Sequence, residues 1–192
     1  MKFSEYKTAG EKYGVGKDWM TLKEGDNKIR IISEFEDYGV HFNPKEKKSV
    51  ICLGKDKCSL CQQGYKPKVQ FLGWVIDRSD NKVKLLRIGY KIFQQIGELA
   101  KSEEYGFDTI PDYDITIRKS GQGLETVYTV LPARQNTELT IEEKKMISNK
   151  IKPVKEIIEK MKAKVDTTSD DISDDDIPVI EDEDIDTEEI PF

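Results

Sequence analysis

The chain has 192 residues, 36% hydrophobic and 35% charged, which suits one domain of ordinary size with appendages. No stretch approaches the roughly 18 unbroken apolar residues of a membrane span, and Met1 to Glu5 opens no signal peptide, so a membrane or secreted protein is not expected. Three cysteines make an odd number, which argues against a disulfide framework and for a reducing, cytoplasmic compartment.

The formal charge of −6 is segregated along the chain. Residues 166–192 carry 13 carboxylates and no Lys or Arg, so the first 165 residues hold 24 acids against all 31 bases, a net of +7. A basic body favours polyanionic partners, and an acidic tail competes with them or recruits others. Lysine that merely solubilises a domain is the alternative.

In chain order, residues 1–26 are polar and Gly-rich, with Tyr6, Tyr13 and Trp19 among lysines, and read as an N-terminal arm. Asn27 to Phe35 reads as a strand around Arg30, followed by a long insertion over residues 38–66. Lys68 to Asp77 is apolar on both alternating faces, more than a simple exposed sheet requires. Ser79-Asp80-Asn81 supplies turn chemistry, and Val83 to Gly89 is the next strand. Tyr90 to Lys101 switches to helical spacing, with Phe93, Ile96 and Ala100 on one stripe. Tyr113, Ile115 and Ile117 alternate with polar residues, and Ser120-Gly121-Gln122-Gly123 turns the chain into Leu124 to Leu131. Five strands with a helix between the third and fourth is the order of an OB-fold, a small Greek-key barrel, so residues 27–135 are expected to be mainly β.

Residues 136–164 read as helical. Thr140-Ile141-Glu142-Glu143 has the capping-box form. Ile147, Ile151, Val154, Ile158, Met161 and Val165 recur at steps of four and three, and Pro153 predicts a kink or two short helices. The stripe is expected to pack on the barrel; a coiled-coil seam is the alternative. Residues 165–192 hold too little apolar content to offset ordering entropy and are expected to be disordered.

Every cysteine and the one histidine lie in the insertion: His41, Cys52, Cys58 and Cys61, spaced H-x10-C-x5-C-x2-C. Three thiolates and an imidazole form the tetrahedral S/N set that structural zinc prefers, and Cys58 to Cys61 followed by Gly64 has the form of a zinc-knuckle turn. Buried free thiols with an incidental histidine are the alternative. A closed four-ligand set leaves no open position for catalysis. With His41 committed, no histidine remains for a nucleophile pair. Gly14-Val15-Gly16-Lys17-Asp18 fails as a phosphate loop, because Glu11 and Asp18 stand where Gly and Ser/Thr are required. Asp112 and Asp114 form a carboxylate pair, read as turn and solvent-face residues. No enzymatic activity is expected.

Single-stranded nucleic acid is held without sequence readout by cations along phosphates and aromatic faces on bases. The strand zone interleaves both: Arg30, Trp74, Arg78, Lys82, Lys84, Arg87, Tyr90, Arg118, Lys119, Tyr128 and Arg134. Gly73 beside Trp74 leaves room for a base, with core packing as the other use of this indole.

Trp19, Leu22 through Arg30, the His-Cys-Cys-Cys insertion, and Asp112 to Ile117 through Tyr128 resemble the tailed-phage single-stranded DNA-binding proteins of the T-even helix-destabilising type. The resemblance implies an OB-fold with a zinc subdomain and sequence-independent ssDNA binding. It also implies service in replication, recombination and repair, in the host cytoplasm if phage-encoded. Trp19 joins the candidate contacts on this ground. The ending Glu188 to Phe192 resembles instead the tip of bacterial single-stranded DNA-binding proteins, with Ile190, Pro191 and Phe192 as a hook for replication and repair proteins. An RNA-binding or transcription-associated zinc protein, or a metal-dependent nuclease, are the competing expectations.

Overall fold

A computed structural model describes residues 19–43, 48–136 and 138–167. The arm before Trp19 and the acidic tail from residue 168, with Ile190, Pro191 and Phe192, lie outside the described residues. Eight strands form one sheet: β1 (Trp19–Met20), β2 (Gly25–Ile31), β3 (Glu36–Asn43), β4 (Lys48–Ile51), β5 (Lys68–Asp77), β6 (Lys82–Gly89), β7 (Tyr113–Ser120) and β8 (Val127–Asn136). Among the described residues four α-helices accompany them: α1 (Ser59–Gln62), α2 (Tyr90–Ala100), α3 (Ile141–Lys150) and α4 (Val154–Thr167).

The main path runs β1, β6, β5, β2, β7, β8. From β6 to β8 this is the order of a barrel-like OB fold, with α2 between its third and fourth strands. Three strands were not foreseen. β1 lies inside the segment read as an arm, yet pairs parallel with β6 through Trp19 and Leu85. The segment read as one strand to Phe35 breaks after Ile31, and β3 resumes along the same partner. β5 therefore pairs with β2 near its end and with β3 near its start. At the break, Ser33 Oγ accepts the Trp74 N–H at 2.8 Å and the Ile32 N–H donates to the Trp74 carbonyl at 3.0 Å. Hence no backbone group of Trp74 is orphaned.

The doubly apolar β5 is explained by two cores. Phe71 and Val75 join Ile29, Ile31, Leu86, Ile88, Ile115 and Ile117 inside the barrel, with Ile92 and Ile96 of α2. Leu72, Trp74 and Ile76 point the other way and pack with Tyr38, Val83, Leu85, Val154 and Ile158 beneath α3 and α4. A strand covered on both faces reads as a continuous apolar run. α3 opens with the full capping box at Thr140 and Glu143, and α4 begins just after Pro153. At the β7–β8 turn, Gly121 has φ +85°, and a Cβ there would meet the Glu125 carbonyl at 2.4 Å.

The sheet is not closed by strand pairing. Along the free side of β8, the Gln95 side chain of α2 accepts the Val130 N–H at 2.9 Å and donates to the Tyr128 carbonyl at 3.0 Å. An amide side chain thus stands in for a neighbouring strand. Pro132 follows on the same side, where it presents no donor to an incoming chain. No helix among the described residues is long and apolar enough to cross a membrane.

Candidate functional site

β3 carries His41 into the interior, 1% exposed. β4 turns back beside it, pairing Val50 with His41, and delivers Cys52, whose N–H donates to the Gly39 carbonyl at 2.8 Å. The Gly54 carbonyl then accepts from the N–H groups of Lys57 and Cys58, and the single turn of α1 brings Cys61 back to the first two ligands. The four donor atoms lie within 4.8 Å of one another. His41 Nε2 is 3.2 Å from Cys61 Sγ, and the sulfurs of Cys52 and Cys61 are 3.5 Å apart. Metal–sulfur bonds of about 2.3 Å in a tetrahedron set ligand separations of roughly 3.8 Å, so this donor set fits one ion.

The electrostatics point the same way. Burial pushes the His41 imidazole down, toward the neutral form that ligates. Its Nδ1 is buried without a hydrogen-bond partner among the described residues. Burial opposes ionisation of Cys58, but N–H groups of Cys61, Leu53 and Leu60 outweigh it and hold its thiol below the usual range. Cys61 is pushed up to about 12 by desolvation and by the sulfurs of Cys52 and Cys58. Crowded thiolates repel one another, and a divalent cation removes that penalty.

The candidate nucleic-acid contacts separate into inner and outer groups. Trp74 is 4% exposed, and its Nε1–H donates to the Lys152 carbonyl at 2.8 Å. Its ring faces are covered by the helical layer, so the structure assigns it to the core. The space at Gly73 is filled by the Phe35 ring, 2.8 Å from where a Cβ would stand, and no base has room there. Arg30 is buried against Asp114, Lys84 is paired with Asp77 and Asp80, and Lys119 is 9% exposed. Trp74, Arg30 and Lys119 are therefore buried, and Lys84 is half-buried and held by two carboxylates. Asp114, read as a solvent-face residue, is in fact the buried centre of a network. Arg78 grips both its oxygens at 3.0 Å, Arg30 and Lys28 approach at 3.5 and 3.4 Å, and Arg78 reaches on to Glu143. Tyr90 is exposed, Arg118 is exposed in a pair with Asp26, and Trp19, Arg87 and Tyr128 are half-buried. They belong to five different elements, α2, β7, β1, β6 and β8.

The chain is 33% identical over 124 residues to a probable ssDNA-binding protein of Escherichia phage T5. The match covers 58% of this chain and 44% of the relative, so the chain spans less than half of that protein's length. No protein-family profile matches, and neither does any solved structure.

Two exposed aromatics lie outside the sequence candidates, Phe42 and Tyr65. Tyr65, 48% exposed, sits in the metal loop within Gly64-Tyr65-Lys66-Pro67-Lys68. Residues 41–68 hold seven lysines against two acids, a local excess that the sequence carries in plain sight.

Proposed function

We propose that this chain is a sequence-independent single-stranded DNA-binding protein without catalytic activity, acting in replication, recombination and repair. The observation that carries the reading is its similarity to the probable ssDNA-binding protein of phage T5. The barrel-like strand order and the lysine-rich metal loop support it, since both suit a strand held by its backbone and base faces. Zinc is the metal, held by His41, Cys52, Cys58 and Cys61. When bound it supplies the charge that lets three thiolates sit together and so braces the loop. Tyr90, Arg118, Arg87, Tyr128 and Trp19 have the exposure for direct contact, whereas Trp74, Arg30, Lys84 and Lys119 act through the fold. The acidic tail ending in Ile190, Pro191 and Phe192 recruits replication and repair proteins.

The test is a panel of oligo-dT, oligo-U and duplex DNA, with Mg²⁺ present to reveal cleavage. Tight binding to oligo-dT, weak binding to duplex and no cleavage support the reading. Preference for oligo-U would replace it with an RNA-binding zinc protein, and cleavage with a nuclease.

A further inference from the structure

Beside the metal centre a cleft of about 620 Å³ opens between the metal loop and α4. Its floor is Gly39, where a Cβ would press at 3.1 Å on both Cys52 and Pro67. Its walls bring Lys55 and Lys66 from the loop, Lys162 from α4 and the ring of Tyr65. Asp37 is the one carboxylate among these lining residues, against the three lysines. Lys162 is shared with Glu159, while Lys55 and Lys66 form no ion pair among the described residues.

Tyr65 is held by its backbone rather than by packing of its ring. Its N–H donates to the Leu60 carbonyl at 3.0 Å, after a left-handed Gly64 at φ +90°, and Pro67 fixes the chain two residues on. The backbone that carries the ring is therefore fixed before any ligand arrives, which lowers part of the entropy cost of binding. Stacking on an exposed ring and lysine contact with phosphates need no base-specific hydrogen bond.

We propose that this cleft is a nucleotide subsite of the strand interface, in which a base stacks on Tyr65 while Lys55, Lys66 and Lys162 contact the adjoining phosphates. The proposal rests on the single-strand reading above and makes α4 a wall of the binding site. A stacked base with a phosphate could also come from a free mononucleotide. The strand is favoured because three lysines line the cleft, more cations than the single phosphate of a mononucleotide would engage.

The test uses the full, zinc-loaded chain with labelled oligo-dT over a range of salt, and dTMP as competitor. Tyr65→Leu is expected to weaken oligo-dT binding by roughly tenfold or more, with Tyr65→Phe near wild type. Lys55→Gln, Lys66→Gln and Lys162→Gln are each expected to reduce the slope of log K against log salt by about 0.7. Lys162 lies outside the metal loop, so its variant reports on the cleft even if a loop variant loses metal. Wild-type chain that ignores oligo-dT overturns the single-strand reading and the cleft with it. Wild-type binding that Tyr65→Leu and Lys162→Gln both leave unchanged overturns the cleft alone. If dTMP displaces the oligonucleotide at equal concentration of nucleotide, the site is one for mononucleotides and the strand subsite falls.

Discussion

The indole of Trp74 joins β5 to the turn between α3 and α4 through its bond to the Lys152 carbonyl. Truncating it would open a void in the outer core and orphan that carbonyl. Trp74→Ala is expected to cost about 3–5 kcal/mol in denaturant unfolding, while Trp74→Phe loses chiefly the hydrogen bond. Affinity of the folded fraction for ssDNA should stay at the wild-type value in both; a loss in well-folded Trp74→Phe would return this side chain to the interface. At Gln95 a single amide serves two backbone groups of β8. Gln95→Ala is expected to cost about 1–3 kcal/mol, because the Val130 N–H and Tyr128 carbonyl lose their partners. Hydrogen exchange should speed up at Val130 well before it does in β5.

α3 is attached to the barrel by charge as well as by packing. Burial alone would raise the Glu143 carboxyl, but the Thr140 N–H and the Arg78 guanidinium outweigh it and hold it below its ordinary 4.5. Asp77 is likewise depressed: Lys84 and Ser79 outweigh its burial. A carboxyl depressed in the folded state adds stability that is present above its unfolded value and lost as pH falls through the folded one. Unfolding free energy is therefore expected to be flat near neutrality and to fall as pH drops below 4.5. In Glu143→Gln the acid limb should be shallower and the neutral plateau lower. Removing Arg78 would take its guanidinium from buried Glu143 and leave Asp114 to the more distant Arg30 and Lys28, and Arg78→Ala is expected to cost about 3–5 kcal/mol at pH 7. An acid limb unchanged in Glu143→Gln would show that other carboxyls govern it.

For the whole molecule, the proposed metal would link the site to the fold. Cys58→Ser or a strong chelator should release the ion, loosen residues 41–68 and weaken ssDNA binding, while the barrel core keeps its cooperative unfolding. Full metal retention in Cys58→Ser would sink the four-ligand assignment. The charge asymmetry gives a second test. Twelve of the 13 tail carboxylates follow Thr167, the last residue of α4, whose Lys162 lines the cationic cleft. Truncation after Thr167 is expected to raise ssDNA affinity, more at low salt than at high, because salt screens competition between tail and strand. Removing only Ile190 to Phe192 should leave that affinity unchanged and abolish capture of replication proteins. Equal affinity of full and truncated chains at low salt would remove the competition.

Local sequence determined a good deal. The alternation of β5 and β7, the hairpin chemistry at residues 79–81, the capping box at Thr140, the break at Pro153 and the clustering of His41 with three cysteines are all visible because each rests on neighbours a few residues apart. What lay beyond reach was set by contacts between distant segments. β1 and β3 carry too short or too mixed a pattern to announce a pairing, and only β6 and β5 give them partners. Alternation shows that Trp74 and Gly73 point to opposite faces. It does not show that α4 covers one face and Phe35 the other. Asp114 looked solvated because its cations come from distant segments, Lys28 and Arg30 from β2 and Arg78 from the turn after β5. The ligand set was a matter of chemistry, which the residue types declare. The surface left for a nucleic acid was a matter of burial, which exists only once the helices have packed against the sheet.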